Sequence, residues 1–336
     1  MKALVTGASG FIGAHLLPLL VARGMQVRAM AQVGENVSAL MGLDLEIVTG
    51  DVRDFASLKA AVDGVDVVFH LAGLLTARNE RQFLDVNERG ADNVARACAE
   101  RTTPPVMLLV SSLAAAGPAT DGRPRTESDP PRPVSKYGRS KRAGELAARR
   151  WAARIPLSIV RPPMVFGEGD IHSRWLFRPI ARRGIHAVPG MQRRQVSLIH
   201  VDDMCQALGL TAERGARVGH CNAEEPAGGV YFLAAEQDLD YGELGHRIGS
   251  AVGRRRVRVV RAPGWLGYCA ASAGEVVSRL SRRPTLFNVD KMREALAGSW
   301  TCSAARIQRE LGFTVGRPLD ERLLQTAQWY AGRGLL

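Results

Sequence analysis

The chain has 336 residues, 46% of them hydrophobic and 23% charged, a length and make-up that suit one large globular domain and a smaller one. Its net charge of +12 comes from 45 basic residues, 40 of them arginines scattered along the sequence; only 191–195 and 253–261 cluster, without interleaved aromatics, so no nucleic-acid partner is expected. Five cysteines with no C-x-x-C pair exclude a disulfide framework and a zinc site, no apolar run reaches the length of a membrane span, and a reducing cytoplasm fits best.

The opening "MKALVTGASGFIGAHLLPLLVARG" has the lysine-then-apolar order of a secretory signal, but its glycine spacing, His15 and Pro18 argue against one. From there short β-branched runs alternate with longer amphipathic stretches, as a parallel sheet with crossover helices requires. Residues 2–6, 26–30, 45–50, 66–72, 106–112 and 157–162 read as strands, and 11–23, 54–63, 88–101 and 137–153 as helices. Runs such as "VMLLV", apolar on both faces, indicate helices on both sides of the sheet. The stretch 117–135, rich in Pro and Asp, reads as a long surface loop, and a loop of that length in a compact domain points to function.

Beyond about residue 165 the pattern becomes irregular. Short strands are expected at 186–188, 196–200 and 230–233, and helices at 173–183, 202–213, 241–252, 264–280, 303–311 and 320–331. The fold expected is α/β: a Rossmann-type doubly wound parallel sheet over 1–165, then a smaller α+β substrate domain over 166–336, with some segments returning to the sheet.

Gly7, Gly10 and Gly13 of "TGASGFIG" lie between the first strand and the first helix. A chain that turns sharply there, and brings the amides around Phe11 and Ile12 close to a pyrophosphate, needs glycine at such positions. Asp51 at the end of the third strand is a candidate acceptor for an adenine amino group, or a turn-forming aspartate, and Val52 a candidate packing residue on the ring. Leu71, Ala72 and Gly73 would let a dinucleotide lie against the carboxyl edge of the sheet. At the end of the second strand, where a carboxylate would bind the ribose and an arginine a 2′-phosphate, stand Ala31 and Gln32. With no carboxylate there and Arg28 near, the expected cofactor, NAD(P)(H), leans to NADP(H).

Tyr137 and Lys141 are four residues apart and share a helix face. A phenol is a poor proton carrier at neutral pH, but a nearby ammonium favours the phenolate. Ser111 and Ser112 both end the fifth strand, and alternation aims only one of them at a substrate.

Together "TGASGFIGAHL", "GDV", "FHLAG", "VNERGADNV", "VSS", "YGRSK", "RPPMVFG" and "IHVDD" resemble, in order and spacing, the extended short-chain dehydrogenase/reductase superfamily, the NAD-dependent epimerase/dehydratase group. The resemblance implies Tyr137 as general acid/base, Lys141 lowering its pKa and holding the nicotinamide ribose, and Ser112, with Ser111 as the alternative, bonding the substrate oxygen. It implies further that Asn87, at the start of the fourth helix, orders the site, that Pro162, Met164 and Val165 meet the carboxamide, that His200 and Asp202 link the domains, and that the protein is a homodimer.

The serine segment and the late "PGWLGYCAASAGEVVSRLSRRPTLFNVDKMREA" are similar to the branch holding 3β-hydroxysteroid dehydrogenases and dihydroflavonol reductases. Trp265, Leu266, Tyr268 and Phe287 would cap an apolar pocket there, and the adjoining arginines raise contact with a membrane surface. Sugar-nucleotide epimerases carry an arginine where this chain has Val196, with Arg193 and Arg194 as nearby substitutes. The expected activity is interconversion of a ketone and a secondary alcohol on a lipophilic small molecule. The alternatives are a nucleotide-sugar 4-epimerase or dehydratase, and a non-catalytic cofactor-sensing protein.

Overall fold

The computed structural model describes residues 1–119, 122–219, 228–235, 238–281 and 288–336, and side chains within them except at 278–281. Cys221, Arg282, Arg283 and Phe287 lie outside the described residues, as do two residues of the 117–135 segment.

The first half runs β1 (Lys2–Thr6), α1 (Phe11–Ala22), β2 (Gln26–Ala31), β3 (Glu46–Thr49), α2 (Phe55–Ala61), β4 (Val67–His70), α3 (Glu80–Asn87), α4 (Arg89–Ala99), β5 (Val106–Val110), α5 (Leu113–Ala116), α6 (Lys136–Arg149) and β6 (Leu157–Arg161). The second runs β7 (Met164–Phe166), α7 (Arg174–Arg183), β8 (Ile185–Pro189), β9 (Gln195–Val196), β10 (Leu198–His200), α8 (Val201–Arg214), β11 (Val230–Phe232), β12 (Leu239–Asp240), α9 (Tyr241–Ala251), β13 (Arg258–Ala262), α10 (Gly264–Ser281), α11 (Val289–Leu296), α12 (Ala305–Leu311) and α13 (Leu319–Gly332).

Seven strands form one parallel sheet in the order β11-β6-β5-β4-β1-β2-β3, with Leu4 in register between Arg28 and Val68. The strands are apolar on both faces because both faces are covered. Ala3 and Val5 join a core with Leu16, Leu20, Leu208 and Ile307, and Leu4 joins the opposite core with Leu58, Val94 and Ala148. Thus α1, α8 and α12 cover one side and α2, α4 and α6 the other. Although β11 comes from the second half, it pairs with β6 and extends the sheet. Phe177, Leu244, Ile248, Leu323 and Tyr330 of α7, α9 and α13 form a separate core.

Several elements differ from the sequence reading. The helix expected at 88–101 is preceded by α3, capped by Asn79, so Asn87 ends one helix instead of opening the next. The 196–200 run splits at Ser197, whose amide bonds to the Trp300 carbonyl at 2.9 Å. The basic cluster at 253–261 feeds β13, which pairs in parallel with β8. Nor does 117–135 lie free on the surface. Arg125 is 2% exposed, its backbone bonds to Thr301 and Ser303, and its guanidinium donates to the carbonyls of Ala116 and Pro130.

Candidate active site

The carboxyl edge of the sheet gathers the expected side chains. Ser135 caps α6 by accepting from the Gly138 amide at 2.8 Å, and Tyr137 lies in the first turn. The Tyr137 hydroxyl faces the Ser112 side chain, which favours the phenolate, while Ser111 points the other way and donates to buried Glu145 at 2.6 Å. Of the two serines, Ser112 is therefore the one beside the phenol. Tyr137 packs with Phe83 and Ala114 in an apolar cluster bordered by Leu74, Ala77 and Trp300.

Lys141 is buried, and its ammonium donates to the Val110 carbonyl at 2.7 Å. Burial pulls its pKa down to about 8 against the attraction of Glu145. The expected lowering of the phenol by this lysine is not what the structure has. Burial pushes Tyr137 above the usual tyrosine range, and only Ser112 opposes it. Glu145 holds the helix from behind: Arg161 donates to it twice, at 2.7 and 2.6 Å, and these contacts bring its carboxyl down to about 2 against desolvation.

Asn87 stitches the edge together. Its carboxamide accepts from the Leu74 amide at 2.8 Å and donates to the Leu74 carbonyl and to Ser140 Oγ. A Cβ at Gly73 would lie 3.0 Å from Asn87 Oδ1 and 3.4 Å from Lys141 Nζ, so these side chains converge on that glycine.

The glycine loop fits a dinucleotide. Gly7 has φ +70° and its back is against the Ala72 backbone, where a Cβ would come within 2.7 Å; at Gly13 a Cβ would meet the Ala8 carbonyl at 2.4 Å. Gly10 begins α1 with no side-chain cap, unlike α2, α3 and α6, which leaves the amides of Phe11 and Ile12 for an anion. A cavity of about 430 Å³ lies at the ends of β2 and β3, lined by Gln32, Val33, Thr49, Gly50, Asp51, Asp54 and Ser57. There Arg53 grips the Asp51 carboxylate through its guanidinium and its amide. Leu71 and Ala72 are half-buried below the loop; the Pro162 carbonyl accepts from the Leu113 amide, and Met164 and Val165 are in β7, paired with β10.

Two expectations are corrected. Val52 is 2% exposed and packed in the core with Leu58 and Val94, so its side chain does not offer itself to an adenine ring. Arg28, the basis of the leaning to NADP(H), donates to Glu46 and to the carbonyls of Ala60, Ala61 and Asp63, which turns it away from the strand end. Instead a carboxylate that sequence reading missed is present: Glu35 accepts from Ser9 Oγ of the glycine loop at 2.7 Å and from the Gln32 amide at 3.1 Å. An acid three residues beyond the expected place was the available signal.

The site is covered from the second half of the chain. On α11, Asp290 accepts from the amides of Lys136 and Tyr137, Glu294 accepts from Ser135 Oγ, and Lys291 Nζ lies 4.6 Å from the centre of the Tyr137 ring. Nearby, Arg194 donates to the carbonyls of Pro189, Ala295 and Leu296, while Val196 is half-buried in β9. His200 and Asp202 are away from Tyr137: His200 meets Glu168 at 3.0 Å, and Asp202 accepts from His15 and from Arg322. These contacts join α1, α8 and α13.

Comparison with known proteins agrees with this geometry. Residues 3–223 match the model of the NAD dependent epimerase/dehydratase family. The chain is 32% identical over 333 residues to a ceramide reductase of Caulobacter vibrioides, covering 99% of this chain and 95% of that one. It is 32% identical over 241 residues to a 4-hydroxy-2-methyl-3-oxo-4-farnesyl-3,4-dihydroquinoline-1-oxide ketoreductase of Stigmatella aurantiaca, 69% of this chain and 68% of that one. The fold is similar to that of DesIV, a dTDP-glucose 4,6-dehydratase of Streptomyces venezuelae solved with NAD and TYD bound, at a TM-score of 0.77 and 23% identity over 99% of this chain and 98% of that chain.

Proposed function

The chain belongs to the NAD dependent epimerase/dehydratase family, an extended short-chain dehydrogenase/reductase enzyme, and on that premise we propose that it interconverts a ketone and a secondary alcohol on a lipophilic small molecule. Tyr137 exchanges the proton with the substrate oxygen, Ser112 orients that oxygen, and Lys141 holds positive charge beside the reacting groups. A bound nicotinamide supplies or accepts the hydride. Gly7, Gly10 and Gly13, with the first amides of α1, hold the pyrophosphate.

The observation that carries the reading is the setting of Tyr137: its hydroxyl faces Ser112 while its ring lies among Phe83, Leu74, Ala77 and Trp300. Apolar walls suit a lipophilic ketone. A sugar diphosphate would find fewer partners here, because Val196 has the place of the epimerase arginine and Arg194 is committed to backbone carbonyls, which leaves Arg193 alone of the two nearby arginines. The relatives named as a ceramide reductase and a farnesyl-bearing ketoreductase support the same class. Glu35, held between the glycine loop and the end of β2, favours a ribose hydroxyl over a 2′-phosphate, and so NAD(H) over NADP(H).

The test is cofactor consumption with NADH and NADPH against aromatic, steroidal and β-keto acyl ketones, with UDP-sugars as contrast. NADH is expected to be oxidised stoichiometrically with a ketone, and Tyr137→Phe to lower kcat about 10²–10⁴-fold while NADH still binds. An unchanged rate in that variant, or turnover of a UDP-sugar without net cofactor consumption, overturns the reading. Glu35→Ala should raise NADPH use relative to NADH; an unaltered ratio removes Glu35 from cofactor selection.

A further inference from the structure

α10 is built inside out. Three of its small residues face inward: a Cβ at Gly264 would meet Leu296, one at Gly267 would meet Met292, and Ala271 is fully buried, so that α11 packs along this side. Its large apolar residues face outward, with Trp265 65% exposed, Val277 64% and Val276 54%, and Leu266 and Tyr268 also exposed. Residues 264–274 contain no charged side chain, and the next residue, Glu275, accepts from the Val289 amide. A helix facing water presents the reverse arrangement. The outward stripe from Trp265 to Val277 extends about 18 Å along the helix.

The neighbouring turn continues the patch. The Gly190 amide donates to the Ala262 carbonyl just before α10, and Met191 beside it is exposed. The exposed charge flanking the patch is mainly basic. Arg193 is exposed on that turn and Arg258 on the strand that leads into α10, in a chain of net charge +12, while Arg254 ahead of that strand donates to the carbonyls of Ala181 and Arg182. Between 253 and 277 the one acid is Glu275.

We propose that this face docks on an anionic lipid membrane, with Trp265, Tyr268 and the two valines at the boundary of headgroups and acyl chains and the arginines on lipid phosphates. No helix among the described residues is long and apolar enough to cross a membrane, which suits a helix that lies along the surface. A second copy of the chain fits less well, since a self-complementary contact would bring the same arginines together. Docking in this orientation holds α11, the cover over Tyr137, at the lipid surface.

Flotation of the full chain with vesicles tests this without reference to turnover. The protein is expected to float with phosphatidylcholine vesicles that contain phosphatidylglycerol and to stay behind with phosphatidylcholine alone, and added salt should weaken the association. Trp265→Ser combined with Val277→Ser should lower partitioning about tenfold or more while leaving the thermal midpoint unchanged, because both side chains are exposed. Arg193→Glu should weaken it as well. A wild-type protein that ignores phosphatidylglycerol vesicles overturns the proposal. So does one that ignores them and runs as a dimer which the paired substitution dissociates, since the face would then belong to a second copy.

Discussion

α6 is held by carboxylates at two places, in two different media. Near its middle Glu145 is fully buried, where Arg161, Ser111 and Arg142 all bond to it. At its start Asp290 and Glu294 reach over from α11 and remain partly open to solvent. The buried contact fixes where the helix that carries Tyr137 and Lys141 lies against the sheet. The outer contact adds partners at the helix start, outside the core. One carboxylate is sealed in the core, the other pair lies at the solvent edge beside Tyr137.

Glu145→Gln breaks this contrast most severely. It leaves the Arg161 charge buried with a weakened partner and should lower unfolding stability by about 3–5 kcal/mol in urea titrations. A loss no larger than that of a surface substitution would mean the pair is not what anchors the helix. The pH dependence has a definite sign. Because the folded-state pKa is depressed to about 2 from 4.5, the contribution is fully present above 4.5 and is lost as pH falls through about 2. The variant should therefore show a flatter acid limb than the wild type.

Lys141 sharpens the comparison on the same helix. Its folded-state pKa is lowered to about 8 from 10.5, so the ammonium that we propose serves the reaction is lost as pH rises through about 8. The profile of kcat/KM should fall by about tenfold per pH unit beyond that point, and a flat alkaline limb would exclude the role. At the outer end the effects are smaller. Ser135→Ala, which removes the cap and the Glu294 partner together, should cost about 1 kcal/mol. Asp290→Asn should cost about 0.5 kcal/mol in stability, and its larger effect is expected in kcat/KM.

What could be read from the sequence was what depends on short spacing. The glycine loop and the Tyr137–Lys141 pair each lie within one turn of chain, and their chemistry constrains neighbouring residue types directly. The Rossmann sheet was legible for the same reason, from alternating runs such as 2–6 and 106–110. Partners set by tertiary packing were not. Asp290 and Lys291 reach Tyr137 across about 150 positions, Arg28 is diverted by carbonyls of α2, and Val52 is drawn into the core by a face of α4. Arg125 looked like a loop residue because nothing nearby in sequence announces the carbonyls it fills.

The return of β11 to the large sheet means that the molecule resists being cut in two. A shortened chain ending near residue 215 would keep every glycine and the Tyr–Lys helix, yet it would strip β6 of its neighbour and leave a bare row of amides and carbonyls along a hydrophobic strand. Such a fragment would self-associate before it could be assayed, so work on the nucleotide half alone calls for a retained or grafted terminal strand.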